Sequence, residues 1–229
     1  EIFVHFGTLL AIFVVFRNDI WKIIKVVPAL PSFLLKGMRI QSEEDEFKAL
    51  TLFIIIGSIP AGFVGLLFEE QIQSFFESSL FVLFMLFVTG LINLSSHYTN
   101  ESTQTMKGTQ AFLIGIAQAF AIIPGISRSG STIVTALWMG INRERAARFS
   151  FLLSIPVILG PSILKFGELL EAPPATHEIV DLIAGTLAAA ISGYFAIIWL
   201  LDIVKRKKLE WFGIYCIALS LLGLIIFLI

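Results

Sequence analysis

Cysteine and charge are both scarce in this sequence, and each scarcity excludes a class of protein. One cysteine, Cys216, in 229 residues excludes an internal disulfide and a cysteine metal cluster. Charged residues make up 14% of the chain, whereas soluble domains carry roughly 25%, so a soluble domain is not expected. The net charge of −1 provides no basic field for polyanions, and we expect no nucleic-acid partner.

Long apolar runs are what the chain has instead. Hydrophobic residues make up 57% of it, with 22 phenylalanines, and the mean hydropathy is +0.91. The runs approach the roughly 20 residues that a helix needs to cross a bilayer. We therefore predict an all-α fold, a polytopic bundle of transmembrane helices that forms a single integral-membrane domain over residues 1–229. The expected membrane segments are 1–16, 20–35, 48–68, 79–95, 109–123, 131–141, 149–166, 179–201 and 211–229.

Charges in the linkers assign sides of the membrane. Basic residues cluster at 17–25, 36–48, 143–148 and 205–208, and acidic residues without basic ones at 69–77 and 168–181. The positive-inside rule makes the first set cytoplasmic and the second external. Both ends of segment 109–141 then lie on the same side, and its arms of about 15 and 11 residues are too short to span the core. We predict a re-entrant helical hairpin, which transporters use to bind anions.

The tip of this hairpin combines a cation with hydroxyl groups. It reads Ile123-Pro-Gly-Ile-Ser-Arg-Ser-Gly-Ser-Thr132. Arg128 therefore lies beside four hydroxyl residues, which are Ser127, Ser129, Ser131 and Thr132. An arginine inside the membrane is costly and usually functional. A helix start with free N–H groups and an arginine fork both favour a phosphate. The alternative is a loop that carries an arginine near the membrane surface.

Several blocks of the sequence resemble one family of membrane enzymes. The main match runs from Gly115 to Thr132 (GIAQAFAIIPGISRSGST), and a second from Ala146 to Pro156 (AARFSFLLSIP). Shorter matches run from Ile59 to Gly65 and from Glu1 to Ala11. Together these blocks resemble the undecaprenyl-diphosphate phosphatases, also called bacitracin-resistance proteins, over essentially the whole chain.

The resemblance implies a helical membrane enzyme with two re-entrant hairpins in an inverted repeat. Such an acid-anhydride hydrolase converts undecaprenyl diphosphate to undecaprenyl phosphate and inorganic phosphate, which recycles the lipid carrier of cell-wall synthesis. We therefore expect a polyprenyl diphosphate substrate, a place in the bacterial plasma membrane and a site open to the extracytoplasmic side. The oligomeric state is left open.

The matching motif assigns roles to the residues at the tip. Arg128 and Ser127 are the expected catalytic residues, and Arg128 would clamp the substrate phosphate. Ser127, Ser129, Gly130 and Thr132 are expected to contact the same phosphate.

Three further residues are candidates for lining the pocket. They are Gln118, His5 and Gly125. For Gln118 the alternative is a hydrogen bond that caps or bridges helices, and for His5 it is a polar contact between helices.

One block of the family does not occur in this sequence. It is a Glu-rich motif followed by Pro-x-Ser-Ser-Thr-Gly-His, and the resemblance implies that it supplies the ligands of a divalent metal, Mg or Ca. From the family's length we expect roughly 40 N-terminal residues to be missing. The metal ligands are then not in this chain, and we expect the chain alone to bind diphosphate weakly without hydrolysing it.

A second function uses the same anion site without chemistry. Inverted repeats with half-helices at the binding site are typical of transporters. A transporter or flippase for an anionic lipid or solute is therefore the alternative to the phosphatase.

Overall fold

The computed structural model describes the backbone of residues 2–100, 105–171 and 176–228, and the side chains of 3–100, 105–163 and 180–227. All regular secondary structure in these ranges is helical. The α-helices are α1 Ile2–Val15, α2 Arg17–Val26, α3 Leu30–Leu35, α4 Glu43–Leu67, α5 Glu69–Phe76, α6 Ser79–Ser95, α7 Gly108–Phe120, α8 Arg128–Trp138, α9 Arg143–Glu171, α10 Thr176–Lys205 and α11 Leu209–Leu228.

Five of the described helical segments are long and apolar enough to cross a membrane. They are Glu43–Leu67, Ser79–Tyr98, Arg143–Ile163, Val180–Lys205 and Leu209–Phe227. A further pair, Phe3–Val15 with Arg17–Leu35, has the required composition but bends by 84° at its break. The protein is an all-α polytopic membrane protein, which confirms the expected fold class.

The helices form two compact units that alternate along the sequence. One unit comprises residues 1–52 and 151–202, and the other comprises 53–150 and 203–229. The expectation of one domain over 1–229 stays a prediction.

Small residues hold the first unit together. A Cβ atom at Gly7 of α1 would overlap the carbonyl oxygen of Thr186 on α10, and one at Gly193 would come within 3.2 Å of the Ala11 Cβ. Close approach of this kind is how membrane helices associate. The small residues of α10 therefore pack against α1.

Glycine crossings also position the helices of the second unit. Gly90 of α6 and Gly213 of α11 face each other so closely that a Cβ on either would overlap the other's carbonyl oxygen. A Cβ at Gly115 of α7 would overlap the backbone of Gly57 on α4. These contacts place α7 against α4 and α6 against α11.

Two helix assignments from the sequence need correction. Residues 69–77 were expected to be an acidic linker, but most of them form α5, whose first turn carries Glu69 and Glu70. Carboxylates there interact favourably with the positive end of the helix dipole. The helix expected at 131–141 begins three residues earlier, at Arg128, and ends at Trp138.

Candidate phosphate site

Two short helices and the loop between them form a hairpin. Helices α7 and α8 contain 13 and 11 residues, and they pack against each other. Gln110 Nε2 of α7 donates to the carbonyl oxygen of Met139, 3.2 Å away, and so joins the two helices at their base. The expected hairpin is therefore present, and each arm is shorter than the roughly 20 residues of a membrane span. Its depth in the membrane stays a prediction.

Ser127 starts α8 and orders its first turn. As N-cap residue it accepts a hydrogen bond at Oγ from the Gly130 N–H, at 3.1 Å, and its carbonyl oxygen accepts from the Ser131 N–H, at 2.9 Å. The N–H groups of Arg128 and Ser129 precede these bonds and have no acceptor within the described part of the chain. Unused N–H groups at a helix start favour an anion.

Arg128 adds a full positive charge at the same helix start. Its side chain is partly buried, and the described residues provide its guanidinium with no hydrogen bond or ion pair. The first turn of α8 carries no acidic residue. Removing a cation partly from water without a partner costs free energy. An anionic ligand would supply the missing partner, and a phosphate would fit the guanidinium fork.

Helix α6 holds the loop that leads into this turn. Thr89 Oγ1 donates to the carbonyl oxygen of Gly125 at 2.8 Å and accepts from the Ser127 N–H at 2.9 Å. Gly125 has φ +92°, and a Cβ there would overlap the backbone of Val82 on α6. Only glycine combines this backbone conformation with such close packing. The site therefore depends on α6, although α6 carries no residue of the motif.

Two buried amides near or within the hairpin have unused polar atoms. Gln118 on α7 is 0% exposed, and neither polar atom of its side chain has a partner among the residues that the structure describes. Asn93 on α6 is 3% exposed, and its Oδ1 has none. A Cβ placed on Gly130 would lie 2.7 Å from that Oδ1 and 3.0 Å from Ser127 Oγ. Asn93 therefore reaches the first turn of α8, where an added Cβ would crowd both oxygens.

The remaining expected residues take different positions. Thr132 is fully buried; its hydroxyl donates to the Arg128 carbonyl oxygen at 2.9 Å and also pairs with Ser150 Oγ. Ser129 is partly exposed in the first turn, where a ligand could reach it. His5 is exposed on α1 and belongs to the other compact unit. The assignments of Thr132, Ser129 and His5 stay predictions.

Thr89 and Asn93 were not among the residues predicted for the site. A signal was present, since both are polar residues inside the otherwise apolar run 79–95. Their spacing of four residues places them on one face of a helix. Nothing in the sequence, however, paired that face with residues 125–130.

The residues at the start of α8 do not fit a divalent cation. Within the described ranges, no three His, Cys, Asp or Glu side chains are close enough to hold a metal ion. The groups at the first turn are a guanidinium, hydroxyls and N–H donors, whereas Mg²⁺ and Ca²⁺ prefer carboxylate and carbonyl oxygens. The first turn of α8 is therefore not expected to bind a divalent metal ion.

Comparison with known families matches almost the whole chain. The family described as "Bacitracin resistance protein BacA" matches residues 1–222. The chain belongs to the BacA family. The family resemblance of the tip motif and its neighbouring blocks is thereby confirmed, and Arg128 lies at the centre of a BacA hairpin.

Individual BacA relatives align with nearly the whole of this chain and with about four fifths of their own length. A protein of Halothermothrix orenii is 40% identical over 229 residues, which cover 99% of this chain and 82% of the relative. One of Methanobrevibacter smithii is 38% identical, with 100% and 82% covered. One of Christiangramia forsetii is 40% identical, with 96% and 79% covered. All three are named undecaprenyl-diphosphatase.

Proposed function

We propose that this BacA protein hydrolyses undecaprenyl diphosphate to undecaprenyl phosphate and inorganic phosphate. The family and the names of its relatives support this reaction. The structural observation that carries it is the partly buried Arg128, which has no partner within the described residues and lies beside two unused N–H groups. This arrangement is complementary to a phosphate and lies in a membrane protein, where a lipid diphosphate would be found.

The residues of the first turn of α8 act by binding and by stabilising charge. In the reaction the bond between the terminal phosphorus and the bridging oxygen breaks, and the oxygen of a water molecule bonds to that phosphorus with release of a proton. Arg128 and the N–H groups of 128 and 129 would stabilise charge on the terminal phosphoryl group. Ser127 accepts from Gly130 and keeps its own hydroxyl proton for a phosphate oxygen.

Two finer expectations form part of the proposal. Turnover would require Mg²⁺ or Ca²⁺, held by groups other than those of the first turn of α8. The protein would lie in the plasma membrane with its site open to the extracytoplasmic side, where the acidic linkers are expected.

The test is phosphate release from undecaprenyl diphosphate by the purified full-length protein in lipid nanodiscs, with and without a chelator. Release that stops with the chelator and returns with Mg²⁺ or Ca²⁺ is the expected result. Transport or flipping of the lipid without phosphate release would instead establish the alternative function. Release that is unaffected by the chelator would contradict the metal requirement alone.

A further inference from the structure

An apolar groove of about 600 Å³ runs beside α7 within the second compact unit. Phe112, Ile116, Ala119 and Phe120 form one wall along α7, and the groove continues to Ile122 and Ile123 in the loop. Every residue that lines it is apolar except Gln71. From Phe112 to Phe120 this wall is about 12 Å long at the rise of an α-helix.

Helices α4 and α5 form the opposite side. Phe63 of α4, together with Ile72 and Phe75 of α5, lines the groove. Helix α5 follows α4 after the single residue Phe68, which also lines the groove. Residues of three helices therefore line one open groove.

The end of the groove lies next to the phosphate site along the chain. Ile123 lines the groove, and Arg128 follows five residues later at the start of α8. One end of the apolar groove and the candidate anion site are therefore only a few residues apart in the segment 122–128. A molecule with a diphosphate head and a hydrocarbon tail matches this order of surfaces.

We propose that the groove between α4, α5 and α7 binds the isoprene units of the substrate nearest the diphosphate. The proposal rests on the proposed function and adds where the lipid tail lies and which residues select its length. The phenyl and branched aliphatic walls complement the methyl branches of a polyprenyl chain. An acyl chain of the bilayer is the competing occupant, and the experiments below distinguish it.

The first experiment compares substrates that differ only in tail length. Ile116→Trp fills the groove, whereas Leu113→Trp adds the same ring on α7 at an exposed position that does not line it. Ile116→Trp should raise the KM for undecaprenyl diphosphate about tenfold, while the KM for isopentenyl diphosphate, which has one isoprene unit, stays within about twofold. Leu113→Trp should change neither. Equal effects on both substrates, or none with Ile116→Trp, would overturn the proposal.

The second experiment measures binding independently of turnover. In a Cys216→Ser background, Ile116→Cys and Leu113→Cys are labelled with N-ethylmaleimide in nanodiscs of fixed lipid composition. Undecaprenyl diphosphate should slow labelling at 116 and not at 113, although bilayer lipid is present throughout. Protection without phosphate release would refute the proposed hydrolysis and leave the tail site established. Absence of protection in a protein that releases phosphate would refute the tail site alone.

Discussion

At Arg128, stability and ligand binding favour different side chains. A partly buried guanidinium without a partner costs free energy in the unliganded protein, whereas a bound phosphate recovers that cost. A neutral side chain would avoid the cost and lose the ligand. The residue therefore indicates a site whose binding groups are in place before the substrate arrives.

This balance predicts the effects of two substitutions at one position. Arg128→Lys keeps the charge and loses the planar fork, and we expect phosphate release to fall about a hundredfold, or about 3 kcal/mol in the barrier. Arg128→Ala should be slower still, and its melting temperature should not fall. The measurement is kcat/KM for undecaprenyl diphosphate together with thermal unfolding. Near-normal turnover by a folded Arg128→Ala protein would remove Arg128 from the site.

Two glutamines on α7 allow a matched prediction about buried amides. Gln118 is buried, and both polar atoms of its side chain lack a partner within the described ranges, whereas Gln110 accepts from the Lys107 N–H and donates to Met139. A buried unsatisfied group costs about 1–3 kcal/mol. Gln118→Leu should therefore raise the melting temperature, and Gln110→Leu should lower it.

Phosphate release then decides what Gln118 does. If Gln118 lines the pocket, Gln118→Leu will be more stable and less active, because the lost amide bonds substrate or water there. A more stable variant with unchanged kcat/KM would show that Gln118 is only a structural polar contact. A less stable Gln118→Leu would show that the amide has a partner in the folded protein.

At the scale of elements, α6 determines the shape of the phosphate loop. Thr89→Val is nearly isosteric but loses the hydrogen bonds to Gly125 and Ser127. The start of α8 would shift, and because small misplacements of a reacting group are costly, kcat should fall about tenfold to a hundredfold. Thr89→Ser keeps the hydroxyl and should retain most activity. The pair is compared by phosphate release. Full activity of Thr89→Val would show that α8 holds the loop without α6.

Elements with long apolar runs could be predicted from the sequence, and short ones could not. Helix α6 has the predicted bounds 79–95, and α7 ends three residues before the predicted 123, because the apolar run continues into the loop. Helix α5 has eight residues with a polar first turn, too short to be stable alone, so packing decides its state. The start of α8 at Arg128 follows from the Ser127 cap, which the sequence contained.

The candidate site, too, could be predicted from the sequence only in part. The tip motif made Arg128 and its hydroxyl neighbours the candidate site, because an arginine in an apolar sequence is conspicuous. The supporting contacts of Thr89 and Asn93 join positions more than 30 residues apart. Hydrophobic periodicity gives no information about such pairs, so the structure was required to find them.

At the scale of the whole molecule, the membrane topology follows from combining span lengths with linker charges. The linker charges predict that helix α4 crosses outward and α6 returns, so that the hairpin α7–α8 begins and ends on the cytoplasmic side before α9 crosses outward again. If α7 and α8 each crossed the membrane completely, Asn142 would also lie on the cytoplasmic side. Each of these helices, however, is too short to cross. Only a re-entrant hairpin agrees with both the lengths and the charges.

Cysteine labelling in a Cys216→Ser background tests this topology. We expect Asn142→Cys and Lys207→Cys to react with a membrane-impermeant maleimide only from the cytoplasmic side, because their linkers are basic. Glu70→Cys on α5 should react only from outside, because that segment is acidic. Labelling on the opposite side after permeabilisation controls for accessibility. External labelling of Asn142→Cys would require an odd number of crossings between α6 and α9, and so would contradict the re-entrant hairpin.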